Sequence, residues 1–311
     1  MKRFFAFLLS VLIMGAIFSR IDLGEFRRSL AEMDLFLFGV AILFFIPQVA
    51  ISAYRWQVMV RKKIRIGLGE SAALVLASNA LNILLPSRAG DLSKAYFLGR
   101  GGGPISIKRG MNVVLFEKYI DLASLGIVIL TGIFLSPKWD QANWVGLAFS
   151  LSMGAIFPVL YFVKLDRWVS APIFETNRFL AKAKHFLLDT HEYLNELKGD
   201  RQELAFIVGL SIFLWFVHIL QFVVFFHSFH STVSVFHIFR LVPLAILVGL
   251  IPVTIAGVGT RDSAMIYFFA PYESVPLIAG VGVCASLRYF VPGILGLPFL
   301  NRYLVRENSV K

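Results

Sequence analysis

The feature that most limits this chain is a series of charge-poor apolar runs about 20 residues long, the length a helix rising about 1.5 Å per residue needs to cross a hydrocarbon core. Six runs reach or approach that length: 4–19, 35–56, 111–135, 142–163, 204–227 and 276–300. Composition agrees, since 58% of the 311 residues are hydrophobic and 16% are charged, against about 45–50% and about 25% in soluble domains. A net charge of +11 would point to nucleic acid in a soluble chain. In a bilayer protein it is the placement of the charges that matters, and no nucleic-acid partner is expected. The single cysteine, Cys284, excludes an internal disulfide and a cysteine-based metal cluster. Lys2-Arg3 before the first run resembles a leader, but Ala16-Ile17-Phe18-Ser19-Arg20 offers no small-x-small cleavage site, so the run reads as a retained anchor.

Two further apolar regions, 71–98 and 241–269, are broken in the middle by proline, glycine and charge. Pro86 precedes Gly90, and Pro252 precedes Gly257. Proline removes a backbone donor and glycine tolerates unwound geometry. Irregular backbone at membrane depth survives only inside protein or beside water. Each region is therefore expected to be a re-entrant helical hairpin. The distribution of basic residues agrees: with the N-terminus inside, 20 Lys and Arg, Arg55 among them, fall in cytoplasmic segments and five (Arg20, Arg27, Arg28, Lys138 and Arg240) in external loops, and the other five lie within apolar regions.

The expected fold is all-α: a polytopic integral membrane protein of six full spans plus two re-entrant helical hairpins arranged as an inverted repeat. Residues 1–311 form one domain: an N-terminal anchor and external loop (1–34), repeat one (35–135), a linking span and cytoplasmic amphipathic loop (136–203), repeat two (204–300) and a cytoplasmic tail (301–311). Pro86 and Pro252 lie 166 residues apart, and the two repeats enter the membrane from opposite sides. Inverted repeats with broken helices are a transporter signature. Within 174–197 apolar residues recur at helical spacing opposite Arg178, Lys182 and Lys184. That segment is read as an amphipathic helix, lying on the anionic cytoplasmic leaflet or packing on the helical body.

Nine charged residues fall in apolar regions: Arg88, Asp91, Lys94, Glu117, Lys118, Asp121, Arg261, Asp262 and Arg288. Each costs on the order of 2.5–3.5 kcal/mol at the centre of a spanning helix, so they must pair or line a wet cavity. Glu117 and Asp121 stand four apart on one helical face, which makes them a candidate lock for arginine. Arg88 with Asp91 and Arg261 with Asp262 place an Arg-Asp pair after each proline. Forked guanidinium donors suit phosphate. The candidate substrate-binding residues are Arg88, Asp91, Lys94, Glu117, Asp121, Arg261, Asp262 and Arg288, with Lys94 and Lys118 alternatively snorkelling to the cytoplasmic interface. His218 and Gln221, three apart in one span, are read as interhelical hydrogen-bonding groups. His227, His230 and His237 lack a neighbouring acid or thiol, so no metal and no cofactor are expected.

Three stretches carry a family likeness: Leu85-Pro86-Ser87-Arg88-Ala89-Gly90-Asp91-Leu92-Ser93-Lys94-Ala95-Tyr96, Phe116-Glu117-Lys118-Tyr119-Ile120-Asp121, and Ile251-Pro252-Val253-Thr254-Ile255-Ala256-Gly257-Val258-Gly259-Thr260-Arg261-Asp262-Ser263-Ala264. With these the chain resembles the flippase-like transmembrane family of lysylphosphatidylglycerol synthases, as a stand-alone member. Lys118 and Asp262 stand where that family often has Arg and Glu, which preserves charge. The resemblance implies a polytopic domain that moves a lipid or lipid-linked headgroup between leaflets. It also implies no synthesis of the lysyl lipid, because the aminoacyltransferase domain of bifunctional members does not follow the last apolar run.

The function expected is therefore non-enzymatic lipid transport in the cytoplasmic (inner) membrane, with both termini cytoplasmic. The partner is a membrane lipid, phosphate-bearing or isoprenoid-type. The alternative is a non-transporting membrane partner of a separate lipid-modifying enzyme, a glycosyltransferase or aminoacyltransferase, with the basic loop 164–201 as docking surface.

Overall fold

The computed structural model describes residues 2–99, 105–136, 139–162, 200–251, 253–254 and 257–305, and 180, 184, 188, 191 and 195 singly. Apart from those five residues, the amphipathic segment expected over 174–197 lies outside the described residues, as do Pro252 and the side chain of Arg88. All regular structure among the described residues is helical.

Helix α1 (Lys2–Phe18) covers the expected anchor. The short α2 (Leu23–Ala31) follows, its N-terminus capped by Asp22, which accepts from the Gly24 and Glu25 N–H groups. Asp34 caps α3 (Leu35–Leu43) in the same way. A new helix, α4 (Phe45–Val60), begins after a break at Phe44. Pro47 explains the break, because it has no N–H to give to the carbonyl of Leu43 four residues earlier.

Helix α5 (Leu68–Leu84) stops at Leu85, whose extended backbone is the conformation a following proline imposes. A 3-10 segment, Pro86–Leu92, then doubles back along α5. Asn82 Nδ2 donates to Asp91 Oδ1 at 3.0 Å, and Ser78 Oγ lies 3.3 Å from Ser93 Oγ. A Cβ on Gly90 would stand 2.6 Å from the Asn82 nitrogen and the Ser78 carbonyl oxygen, so only glycine allows this approach. Helix α6 (Ser93–Gly99) continues the return.

Two long helices come next, α7 (Ile107–Phe134) and α8 (Gln141–Phe162), and after them α9 (Arg201–Ser228) and α10 (Val235–Gly249). The second reversal follows α10 and relies on Gly257 (φ +74°) and Gly259 (φ +91°). A Cβ on Gly257 would meet the Gly249 carbonyl oxygen at 2.7 Å. Helix α11 (Thr260–Phe269) returns along α10, and α12 (Val275–Val305) ends the described chain.

The long stretches Leu35–Val60, Arg201–Ser228 and Val275–Val305, of 26, 28 and 31 residues, are apolar enough to span a bilayer. Among the described residues those three meet the length and composition of a span, where the sequence reading expected six. Helix α7 has the length, at 28 residues, but carries Glu117, Lys118 and Asp121 near its middle. Helices α1 and α10 supply only shorter apolar stretches, Leu8–Phe18 and Val235–Gly249. Phe36, Phe134, Trp144, Leu151, Phe213 and Leu220 lie exposed on helix exteriors, and apolar surface of that kind needs lipid or protein to cover it.

Two apolar clusters hold the helices together. One packs α4, α5, α6 and the first half of α7 against the start of α9 and the end of α12, around Trp56, Phe116 and Tyr119. The other joins the second half of α7 to α9, α10, α11 and the start of α12, around Phe222, Phe226 and Phe269. Between helices α5 and α12 backbone meets backbone: a Cβ on Gly293 would stand 3.0 Å from the Asn79 carbonyl oxygen, and one on Gly296 would overlap that of Leu76.

Candidate functional site

Where one cluster gives way to the other, helices α4, α5, α6, α7, α9 and α12 surround a cavity of about 310 Å³. Its charged lining comprises Arg55, Asp91, Lys94, Glu117, Lys118, Asp121 and Arg288, with Gln48, Asn79, Asn82 and His218 as further polar groups. Asp121 and Arg288 each sit about halfway along their helices, α7 and α12.

The network is built around Arg55. Its Nη2 donates to Glu117 Oε1 at 3.1 Å, and its Nη1 donates to Asp121 Oδ1 and, at 2.7 Å, to Ser211 Oγ. Spacing of four residues puts both carboxylates on one face of α7, so one forked guanidinium can serve both. Lys94 Nζ holds the other Glu117 oxygen at 2.5 Å and lies 4.6 Å from the centre of the Trp56 ring. Lys118 pairs with Asp91, which also accepts from Asn82. Trp215 Nε1 donates to the Asp121 carbonyl at 2.9 Å, tying α9 to the same turn of α7. Arg288 Nη2 meets His218 Nδ1 at 2.6 Å, and its guanidinium lies 5.0 Å from the ring centres of both Phe222 and Tyr289.

Of the residues singled out from sequence, Asp91, Lys94, Glu117, Asp121 and Arg288 share this cavity. Arg261 and Asp262 are not among its lining. Arg261 is 1% exposed and donates through Nη2 to Asp262 Oδ1 at 2.5 Å, the Gly282 carbonyl at 2.8 Å and Ser286 Oγ at 2.9 Å. The second oxygen of Asp262 accepts from Gly259 N–H at 3.0 Å, so the pair fastens the start of α11 to α12. Lys94, at 3% exposed, turns its ammonium to Glu117, which is equally buried, rather than to solvent.

The largest omission from the sequence reading is Arg55, which counted there as a cytoplasmic flank and is 2% exposed. Arg240, counted as an external-loop cation, is likewise buried and donates to Ser136 and Asp140. Gln48 was also passed over. It donates to Gln221 Oε1 at 2.9 Å, and Gln221 in turn donates to the Ala41 carbonyl at 2.8 Å. Ala41 lies in the last turn of α3, where carbonyls lose helical partners, so the glutamine of α9 satisfies one of them. The interhelical role expected of Gln221 is what the structure shows.

A second ionic cluster lies beyond the end of α4. Lys62 Nζ and Arg61 Nη2 reach Glu203 at 3.0 and 3.2 Å, and Lys62 reaches Asp200 at 3.4 Å. Glu203 N–H donates to Asp200 at 3.0 Å and holds that carboxyl below its ordinary range, and the Lys62 ammonium adds to this. Basic residues after α4 and acids at the start of α9 also suit the two helix dipoles.

Fold and site together define a multi-pass helical membrane protein with an ion-paired cavity among its helices. The chain belongs to the family described as the lysylphosphatidylglycerol synthase TM region, which it matches over residues 3–296. It is 24% identical to a UPF0104 membrane protein of Methanothermobacter thermautotrophicus, over 84% of this chain and 83% of that one. A UPF0104 membrane protein of Methanocaldococcus jannaschii is also 24% identical, over 93% and 91% of the two chains. The match is to the membrane region of the synthase, not to an aminoacyltransferase domain, and assigns this chain no catalytic activity.

Proposed function

We propose that this chain moves a phosphate-bearing or isoprenoid-type lipid, or a lipid-linked headgroup, between the leaflets of the cytoplasmic membrane. The observation that carries the reading is the charged cavity lined by helices from both halves of the chain. Four cations (Arg55, Lys94, Lys118, Arg288) and three acids (Asp91, Glu117, Asp121) line it, leaving one net positive charge to meet a phosphate. Arg288 and Lys94 would hold the headgroup, while Glu117, Asp121 and Asp91 hold the cations between states. Arg261 and Asp262 would act at one remove, by fixing the second reversal against α12. Arg88 belongs to the matching first reversal.

The topology in this reading is six full spans and two re-entrant hairpins, in one domain, with 35–135 and 204–300 as an inverted repeat and both termini cytoplasmic. The two chain reversals at 85–92 and 250–259 support it, as does the charge asymmetry of the loops. Rocking one repeat against the other would expose the cavity to each side in turn.

Leaflet exchange of fluorescent phosphatidylglycerol, lysylphosphatidylglycerol and polyprenyl phosphate in liposomes holding the purified protein tests the reading. Exchange above empty liposomes is expected for at least one lipid. Arg288→Ala should slow it about 10- to 100-fold, the equivalent of one charged hydrogen bond of about 1.5–3 kcal/mol. Folded protein that exchanges none of them overturns the transport reading and favours presentation of lipid to a separate enzyme docked on 164–201.

A further inference from the structure

His218 supplies something the transport reading, on which this inference rests, does not use. Arg288 Nη2 and His218 Nδ1 are 2.6 Å apart, and both residues line the cavity. A guanidinium has five donors and no acceptor, and it keeps its proton throughout the physiological range. Nδ1 is therefore the acceptor, and in this state the imidazole is neutral with its proton on Nε2. An imidazole is also the side chain whose ordinary titration falls between about pH 5 and pH 8. A proton added at Nδ1 would set two N–H donors and two positive charges against each other at hydrogen-bond length, so the contact and the protonated state exclude one another. The surrounding ionic groups are Arg55 from α4, Asp91 from the 3-10 segment, Lys94 from α6, and Glu117, Lys118 and Asp121 from α7. The three acids in that set are each held by Arg55, Lys94 or Lys118. Phe222 and Tyr289, each 5.0 Å from the Arg288 guanidinium, keep it at the cavity wall when its bond to His218 is released.

We propose that His218 and Arg288 form a proton-gated oxyanion site for a phosphodiester. A proton from the aqueous phase bonds to His218 Nδ1, the Arg288 Nη2–H···Nδ1 hydrogen bond breaks, and imidazolium and guanidinium each donate to one oxygen of the same phosphodiester. Anion and proton then enter together, and the headgroup crosses with its negative charge balanced.

The test is binding of dihexanoyl phosphatidylglycerol and, separately, dimethyl phosphate to the full chain in detergent between about pH 6 and pH 8. Calorimetry in two buffers of different ionisation enthalpy reads affinity and proton uptake together. Neither phosphodiester titrates in this range, so any slope belongs to the protein. Wild-type affinity is expected to rise by up to about tenfold per pH unit of acidification, with uptake approaching one proton per anion. His218→Gln keeps an acceptor for Arg288 and cannot titrate, so its profile should be flat. Binding of the lipid alone assigns a lipid headgroup as the source, whereas equal binding of dimethyl phosphate assigns a soluble phosphodiester, and either result supports the site. A flat wild-type profile with binding intact, or a slope that persists in His218→Gln, overturns the proton gate and leaves lipid transport standing. Leaflet exchange without phosphodiester binding at any pH also overturns the site alone. Folded protein that neither binds nor exchanges overturns both.

Discussion

Arg55 illustrates how a single side chain can govern a buried site. It serves two carboxylates one turn apart on α7 and a hydroxyl on α9. Replacing it by Met leaves Glu117 and Asp121 in a cavity with their main cation gone, and such losses cost about 3–5 kcal/mol. Arg55→Met is therefore expected to unfold more readily in detergent by about that amount, measured by denaturant titration. The triple variant Arg55→Met/Glu117→Gln/Asp121→Asn should recover most of the loss, since the uncompensated charges go with it. At the start of α9, Asp200 gives a pH signature. Its carboxyl is held below the ordinary range when folded, so its stabilisation is fully present above the unfolded value of about 3.9 and is lost as pH falls through the folded one. The melting difference between wild type and Asp200→Asn should be present at about pH 7 and should close below about pH 4, read by thermal scans across pH.

Helices in this protein stop and turn where a backbone donor is missing or a Cβ has no room. Gly90 and Gly209 make the comparison direct. A Cβ on Gly90 would meet the α5 backbone at 2.6 Å, whereas at Gly209, inside α9, it would meet nothing within 4 Å. Gly90→Ala is expected to destabilise the protein, and Gly209→Ala to leave it unchanged or stabilise it by up to about 1 kcal/mol. Parallel unfolding curves of the two variants check this. Gln221→Leu should cost about 1–3 kcal/mol by the same measurement, because it strands the Ala41 carbonyl and the amide of Gln48 together.

Across the whole molecule, single cysteines in a Cys284→Ser background test the orientation. Arg20→Cys and Arg65→Cys, both at exposed positions, should label from opposite sides of sealed vesicles, the second from the cytoplasmic side. The three long apolar stretches and both chain reversals were legible in the sequence because their causes are local: run length, Pro86 with Gly90, and the glycines after Gly249. The cavity was only half legible. Glu117 and Asp121 announce a shared cation by their spacing, but nothing near Arg55 shows that it is that cation, since its acids lie 62 and 66 residues further on. A basic residue at the edge of an apolar run looks like an ordinary flank. Arg261 misled in the opposite direction, because spacing cannot separate an arginine facing a cavity from one spent on Gly282 and Ser286. That same separation between Arg55 and its acids matters during biogenesis. Chains emerge N-terminus first, so α4 enters the bilayer with its arginine before the ribosome has made either acid. Until α7 arrives, the nascent chain carries an unpaired cation near the end of its apolar stretch, costing at most about 2.5–3.5 kcal/mol to insert, which makes the interval between those two helices the stage at which an insertion chaperone or the translocon has most to hold.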